Sequence, residues 1–199
     1  MGCEIKDLYK SVKKCPGERI APGIRPYVYF TQKANILTWP KLPVDVTTDM
    51  SELVTLDGDF TLGADAKWHK IDLVDLKSSA TSETQGEYPN ATQLNHAELV
   101  VGGTGAEISG FTSVAINDSL VYLVPERDGK FRLYGNESFD VKTTVSQASG
   151  AGVTDAKQST VTIEVPDYCP PPFYTGKIET ADDGDISGAD GSAVTEPGP

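Results

Sequence analysis

Hydrophobic and polar residues alternate along much of the chain, and this pattern predicts a fold built mainly from β-strands. In the stretch STVTIEV, for example, Val161, Ile163 and Val165 alternate with polar residues. A period of two is typical of a strand with one buried face. On this basis we predict strands over residues 26–31, 53–62, 67–77, 79–88, 92–101, 119–125, 130–143 and 158–166.

Residues 119–135, SLVYLVPERDGKFRLYG, consist of two apolar segments around Asp128-Gly129 and predict a β-hairpin with a two-residue turn. That turn pairs Val124 with Leu133. Both faces of the hairpin are then apolar, so we expect one to be covered by the protein's own core and the other by a neighbouring subunit or by a helix. The candidates for this contact between subunits share one face and are Leu120, Tyr122, Val124, Phe131 and Leu133.

One helix is predicted over about residues 105–116. Thr104 and Glu107 have the spacing of a capping box, and Ile108, Phe111 and Ala115 follow at helical spacing. The glycines of VVGGTGAEISG also suggest a dinucleotide-binding loop. That interpretation fails because Ile108 stands where a third small residue is needed, and no second parallel strand follows.

The two ends of the chain differ in composition from its centre. Prolines interrupt the first 24 residues, which predicts an extended arm, and Trp39 is predicted to anchor a loop over residues 34–43. From Thr180 onward, Gly, Asp and Ser dominate, as in disordered segments. We therefore divide the chain into an N-terminal arm (1–24), a β-sandwich domain (25–178) and an acidic C-terminal tail (179–199). The arm and the loop 42–58 are expected to become ordered only on contact with another subunit.

The net charge of −12 argues against tight binding of nucleic acid, because neutralisation of phosphates by Lys and Arg supplies most of that affinity. The chain has no apolar run of the ~18 residues that a membrane helix needs, and its first ten residues lack the apolar core of a signal peptide. We expect a soluble protein made in the cytoplasm, without membrane insertion. Cys3, Cys15 and Cys169 are expected to be unpaired thiols.

No motif for catalysis, metal binding or cofactor binding is present. The chain contains no GxSxG, HExxH, Walker A, CxxC or EF-hand sequence. The spacing of carboxylate pairs such as Asp72 and Asp75 does not indicate a catalytic pair unless both lie in a cleft. Exposed positions on strand faces explain these residues better. We expect neither an enzyme nor a bound cofactor.

The stretch SSATSETQGEY carries polar residues on both faces and cannot belong to a dry core. Two interpretations stay open for it. It is either a solvated edge or loop, or a strand that lines a water-filled space.

The order of elements resembles that of the tail tube (major tail) proteins of tailed bacteriophages. The resemblance covers residues 24–178 and runs from GIRPYVYFTQKANILTWPKLP through FTLGADAKWHKIDL, SATSETQGEYPNATQL, TGAEISGFTSVAIN and DSLVYLVPERDGKFRLYGNESFDV to TVTIEVPDYCPPPFYTG. The resemblance implies an antiparallel β-sandwich with one flanking helix. It also implies six copies to a ring and rings stacked into a hollow tube for DNA ejection, in a virion tail assembled in the host cytoplasm. The implied partners are other copies of the chain, the tape measure protein and the tail terminator.

In such a tube, DNA passes without specific binding, and acidic residues of the lumen repel its phosphates. The lumen candidates are Glu83 and Glu87, on the polar strand, and Glu137. One alternative is another virion component, such as a head decoration or head–tail connector protein. Another is a carbohydrate-binding β-sandwich in which Trp39 and Trp68 stack on sugar rings.

Overall fold

The computed structural model describes residues 9–17, 19–43 and 49–194, and the fold of these residues is mainly β, as predicted. Two short 3₁₀-helices span Lys33–Asn35 and Met50–Val54, and the α-helix α1 spans Ala106–Ala115. The strands are β1 Tyr27–Gln32, β2 Ile36–Thr38, β3 Thr55–Leu56, β4 Thr61–Leu62, β5 His69–Asp72, β6 Ser79–Gln85, β7 Thr92–Gly102, β8 Leu120–Pro125, β9 Phe131–Tyr134, β10 Lys142–Ala148, β11 Gln158–Asp167, β12 Phe173–Tyr174, β13 Lys177–Glu179 and β14 Asp185–Ser187.

Two sheets pack face to face and form a sandwich. The six-stranded sheet has the order β3-β12-β9-β8-β1-β5, and the four-stranded sheet has the order β10-β11-β7-β6. Buried side chains of both sheets meet in a first core, where Val28 and Tyr122 of one sheet lie with Leu99, Val161 and Ile163 of the other. The predicted alternation of β11 is confirmed, since its three apolar residues point into this core.

A second core covers the opposite face of the six-stranded sheet. Val121 and Leu123 of β8 lie there with Trp68, Tyr174 and Ile178. Both faces of β8 are therefore buried, which explains why LVYLVP is apolar at every position.

The hairpin β8–β9 forms, but with a register one residue away from the prediction. Leu123 pairs with Leu133, and Val124 pairs with Arg132. The turn has three residues rather than two, because the N–H of Glu126 donates to the carbonyl of Lys130 at 2.8 Å. Gly129 closes the turn with φ +102°, a conformation that favours glycine. A shift of one residue moves all of β9 to the other face relative to β8.

The five hairpin residues that we considered for a contact between subunits are buried within their own chain. Leu120, Tyr122 and Val124 belong to the first core, while Phe131 and Leu133 belong to the second. The prediction that a neighbouring subunit covers one of these faces is therefore wrong. The second core, which the sequence analysis did not anticipate, supplies that cover.

Much of the second core's cover comes from the segment that we predicted to be a disordered tail. Strand β13 pairs with β14, and Ile178 and Ile186 are buried beneath this hairpin. The backbone of Trp68 also bonds to Glu179 and Ala181, both at 2.9 Å. The prediction of disorder is thus wrong for residues 180–194, and the proposed boundary at residue 178 falls inside β13.

Helix α1 is confirmed, but its predicted capping box does not form. The N-cap residue is Gly105, and no side chain caps the helix there. Strand predictions 53–62 and 130–143 each divide into two separate strands. The polar strand over residues 79–88 ends at Gln85, and β2 lies in a stretch predicted to be a loop.

Residues 9–17 and 19–23 have exposed side chains and no helix or strand, and Ile24 is the first buried residue after them. The extended arm is therefore observed for these residues, while its ordering on contact with another subunit stays a prediction. Cys3 and residues 44–48 of the loop 42–58 lie outside the described residues. Among the helices that are described, none is long and apolar enough to cross a membrane.

Candidate assembly surface

The four-stranded sheet has one face that packs on the first core and one that is open to solvent, which we call the outer face. Strand register assigns the side chains to it: Thr81 pairs with His96, His96 with Glu164, and Glu164 with Lys142. The outer face consists mainly of polar side chains, contributed by Ser79, Thr81, Glu83, Gln85, Thr92, His96, Glu98, Lys142, Thr144, Ser146, Thr160, Thr162 and Glu164.

This outer face is acidic. Glu83, Glu98 and Glu164 contribute carboxylates, and Lys142 is the one Lys or Arg in the four strands. Lys142 Nζ lies 3.2 Å from Glu164 Oε2, so the opposite charges of these two side chains largely cancel. Glu83 and Glu98 are exposed and lack such a partner among the ion pairs of the described residues. The surface therefore presents negative charge to whatever faces it.

Of the three predicted lumen residues, Glu83 lies on the outer face and the other two lie elsewhere. Glu87 follows the end of β6 and sits in the turn before β7, so the argument that it shares a strand face with Glu83 does not hold. Glu137 lies in the loop after β9. It lines a pocket of about 340 Å³ together with Trp39 and Tyr168, beside residues of the second core.

Glu98 and Glu164 were missed in the sequence analysis. Their signal is present, because each occupies a polar position in an alternating strand whose neighbours at ±1 are apolar. What the sequence alone could not supply was the order of the strands, which brings these two carboxylates to the same face as Glu83.

The four-stranded sheet ends in two open edges, β6 and β10. Each strand has seven residues, and within the described part of the chain neither pairs with a strand on its outer side. Natural edges are usually blunted by Pro, by Lys in the strand or by a bulge. Strand β6 contains neither Pro nor Lys, and its register with β7 runs without a bulge. These edges are suited to pairing with another strand.

A buried amide holds the β6 edge in place. Asn95, on β7, is fully buried; its Oδ1 accepts a hydrogen bond from Ser82 Oγ at 2.7 Å, and its Nδ2 donates to the carbonyl of Cys169 at 3.1 Å. These bonds connect β6 and the chain after β11 to the centre of the sheet. The exposed edge strand is thus tied to the buried centre of the sheet by a side-chain hydrogen bond as well as by its backbone.

Near this network, burial shifts two ionisable groups. Burial raises the pKa of the Asp167 carboxyl, and it raises the pKa of the Cys169 thiol to about 11. A thiol with that pKa remains protonated at neutral pH and is a poor nucleophile. Cys15 and Cys169 are both unpaired, as predicted for these two.

The structure offers little support for the other chemistry considered from the sequence. Trp68 is 1% exposed and cannot stack on a sugar ring, and Trp39 packs edge-on against Phe60 with ring centroids 5.5 Å apart. Asp75 is engaged by Arg127 in an ion pair. Across residues 9–17, 19–43 and 49–194, no three His, Cys, Asp or Glu side chains cluster in a way that could hold a metal ion.

No protein-family model, curated protein or solved structure matches this chain.

Proposed function

We propose that this chain is a structural subunit that assembles with copies of itself into stacked rings, forming a tube of the kind found in phage tails. The observation that carries the proposal is the four-stranded sheet, which combines a polar, acidic outer face with two seven-residue edge strands that pair with no further strand within the described residues.

The topology of this sheet is suited to closing a ring. Its neighbouring strands are all antiparallel, and their number is even, so β6 and β10 run in opposite directions. When β6 of one copy lies beside β10 of the next, the antiparallel alternation continues without a break. A closed ring of such copies is a β-barrel, which leaves no sheet edge exposed.

In that barrel the outer face becomes the wall of the lumen, because the opposite face is already occupied by the first core. A lumen suits polar side chains, since it stays filled with water. Glu83 and Glu98 repel the phosphates of DNA over the ~8 Å Debye length at physiological salt, so the wall guides DNA without binding it.

A pair of lysine substitutions on β6 tests this proposal. Ala80 pairs with Ala97 on the core side of the sheet, yet it is exposed in the single chain because β6 is an edge. A lysine there reaches solvent in the monomer but is covered when another strand pairs with β6. Such inward-pointing charges block edge pairing. We expect Ala80→Lys to fold normally and to remain monomeric in sedimentation velocity.

Ser79→Lys is the matched control, since it adds the same charge one residue away but on the outer face. We expect this variant to assemble as the native chain does. Equal assembly of both variants, or a native chain that stays monomeric at high concentration, would contradict assembly through this edge. Thermal melting of each variant checks that the fold is intact.

A further inference from the structure

A groove with an apolar floor runs between α1 and the edge strand β5, on a different side of the molecule from the four-stranded sheet's outer face. Its volume is about 600 Å³. Half-buried side chains form the floor, where they lie over the first core, and they include Phe30, Ile71, Val101, Ile108 and Phe111. A second pocket, of about 230 Å³, shares Phe30 and Phe111 and extends the groove along α1 as far as Val114.

The rim of this groove is acidic. Asp72 and Glu107 line the larger pocket, and Asp118 lines the smaller one. Lys70 also lines the groove, but its Nζ lies 3.1 Å from Asp183 Oδ2 and 3.9 Å from Asp72 Oδ1, so one lysine faces two carboxylates. The groove therefore suits an occupant that is apolar on one side and basic on another.

The N-terminal arm of the chain has that chemistry. Tyr9 and Val12 are each 91% exposed, so both side chains are free to contact another molecule. Lys10, Lys13 and Lys14 accompany them, and residues 9–17 contain no acidic residue. In an extended chain with about three residues per turn, Tyr9 and Val12 lie on one side, and Lys10 and Lys13 lie together on another.

We propose that the groove between α1 and β5 binds the arm of a second copy of this chain, with Tyr9 and Val12 in the apolar floor and the lysines at the acidic rim. The partner is a second copy because the arm and the groove are both present in one molecule, and residues 9–17 of the arm do not line the groove of their own chain. The inference rests on the proposed self-assembly and identifies a contact other than the sheet edges.

Chemical crosslinking between two differently tagged chains tests this contact. Both chains carry Cys3→Ser and Cys169→Ser. The first keeps Cys15, which is exposed and lies on the arm. The second carries Cys15→Ser and Val74→Cys, which places its thiol in the groove. A short bis-maleimide then joins thiols that lie close together. The control for the second chain is Thr144→Cys, which is exposed on the outer face of the four-stranded sheet.

We expect about tenfold more crosslinked heterodimer with Val74→Cys than with Thr144→Cys, because docking raises the effective concentration of the two thiols. Reversing the arm's charge with Lys10→Glu, Lys13→Glu and Lys14→Glu should remove that excess. Equal yields with both partner chains would overturn the inference. A single chain that carries both Cys15 and Val74→Cys is a further control. If its two thiols crosslink rapidly within one chain while the mixture of two chains yields no heterodimer, the arm binds its own groove and the choice of a second copy is overturned.

Sedimentation of the same samples separates this inference from the proposed function. If large assemblies form but Cys15 does not crosslink to Val74→Cys, the arm contact is refuted, whereas assembly through the sheet edges is still supported. Crosslinked pairs that never grow beyond dimers would support the arm contact and contradict the tube.

Discussion

At the scale of single residues, Ile178 shows how firmly the C-terminal segment belongs to the fold. It is fully buried in the second core, although its neighbours Lys177 and Glu179 are charged. The surrounding charges are paired, since Lys177 Nζ lies 2.8 Å from Glu179 and 3.1 Å from Asp185. Ile178 and its cross-strand partner Ile186 thus anchor the hairpin in the second core.

We predict that Ile178→Ala lowers the free energy of unfolding by about 2–5 kcal/mol, the usual cost of truncating a buried isoleucine. Val153→Ala is the control, because Val153 is fully exposed and its truncation should change the free energy by less than about 0.5 kcal/mol. Urea denaturation of both variants measures the difference. If Ile178 were not packed in the second core, the two variants would be equally stable.

At the scale of elements, the long alternating strands were predictable and the shorter ones were not. Strands β7, β8 and β11 lie within one residue of their predicted ends, because burial of one or both faces produces a clear hydrophobic pattern. The register of β8–β9 was missed because Asp128-Gly129 fits a two-residue turn as well as the three-residue turn that forms.

The β13–β14 hairpin was not predictable from its composition for a physical reason. Asp183 and Glu179 look like solvated charges in the sequence, yet their partners are far away along the chain. Tyr29 Oη donates to Asp183 at 2.7 Å, and Lys67 Nζ lies 2.9 Å from Glu179. Local composition carries no information about such distant partners.

These contacts make docking of the β13–β14 hairpin sensitive to acid. Hydrogen bonds from Tyr29 and Lys70 hold the pKa of Asp183 below its usual range, and Lys177 and Lys67 do the same for the pKa of Glu179. A carboxyl whose pKa is lowered by folding stabilises the fold above its ordinary pKa, and this contribution is lost as pH falls through the folded value.

We therefore expect the hairpin to loosen below about pH 4, the ordinary range of carboxyl pKa values. Trp68 reports on this change, because its backbone bonds to the hairpin and its ring is buried. The measurement is the fluorescence of a Trp39→Phe chain as pH is lowered. Adding Asp183→Asn should weaken the dependence on pH, and an unchanged profile would contradict the role of Asp183.

At the scale of the whole molecule, the distribution of charge over the surface was only partly evident from the sequence. The sandwich arrangement and the acidic character were evident from the sequence. The residues of the outer face were only partly predictable from the sequence. Glu83 was identified, whereas Glu98 and Glu164 became apparent only with the order of the strands. Glu87 and Glu137 were misplaced because the end of β6 and the path of the loop after β9 depend on turn geometry.

We predict that Glu83→Lys combined with Glu98→Lys leaves assembly intact but makes the assembled protein retain duplex DNA. Retention should be strongest at low salt, where attraction between lysine and phosphate is least screened. Co-sedimentation of DNA with the assemblies measures it. Glu137→Lys is the control, since this residue lies beside the second core and should not increase retention. Native levels of DNA in the double variant would refute an acidic lumen.

Electron microscopy of the purified native chain at high concentration tests assembly into a tube most directly. We expect rings with a central hole, or tubes of stacked rings, in which the four-stranded sheet forms the inner wall. Uniform single-chain particles without rings or tubes would contradict this expectation, as would tubes whose inner wall is formed by another part of the chain.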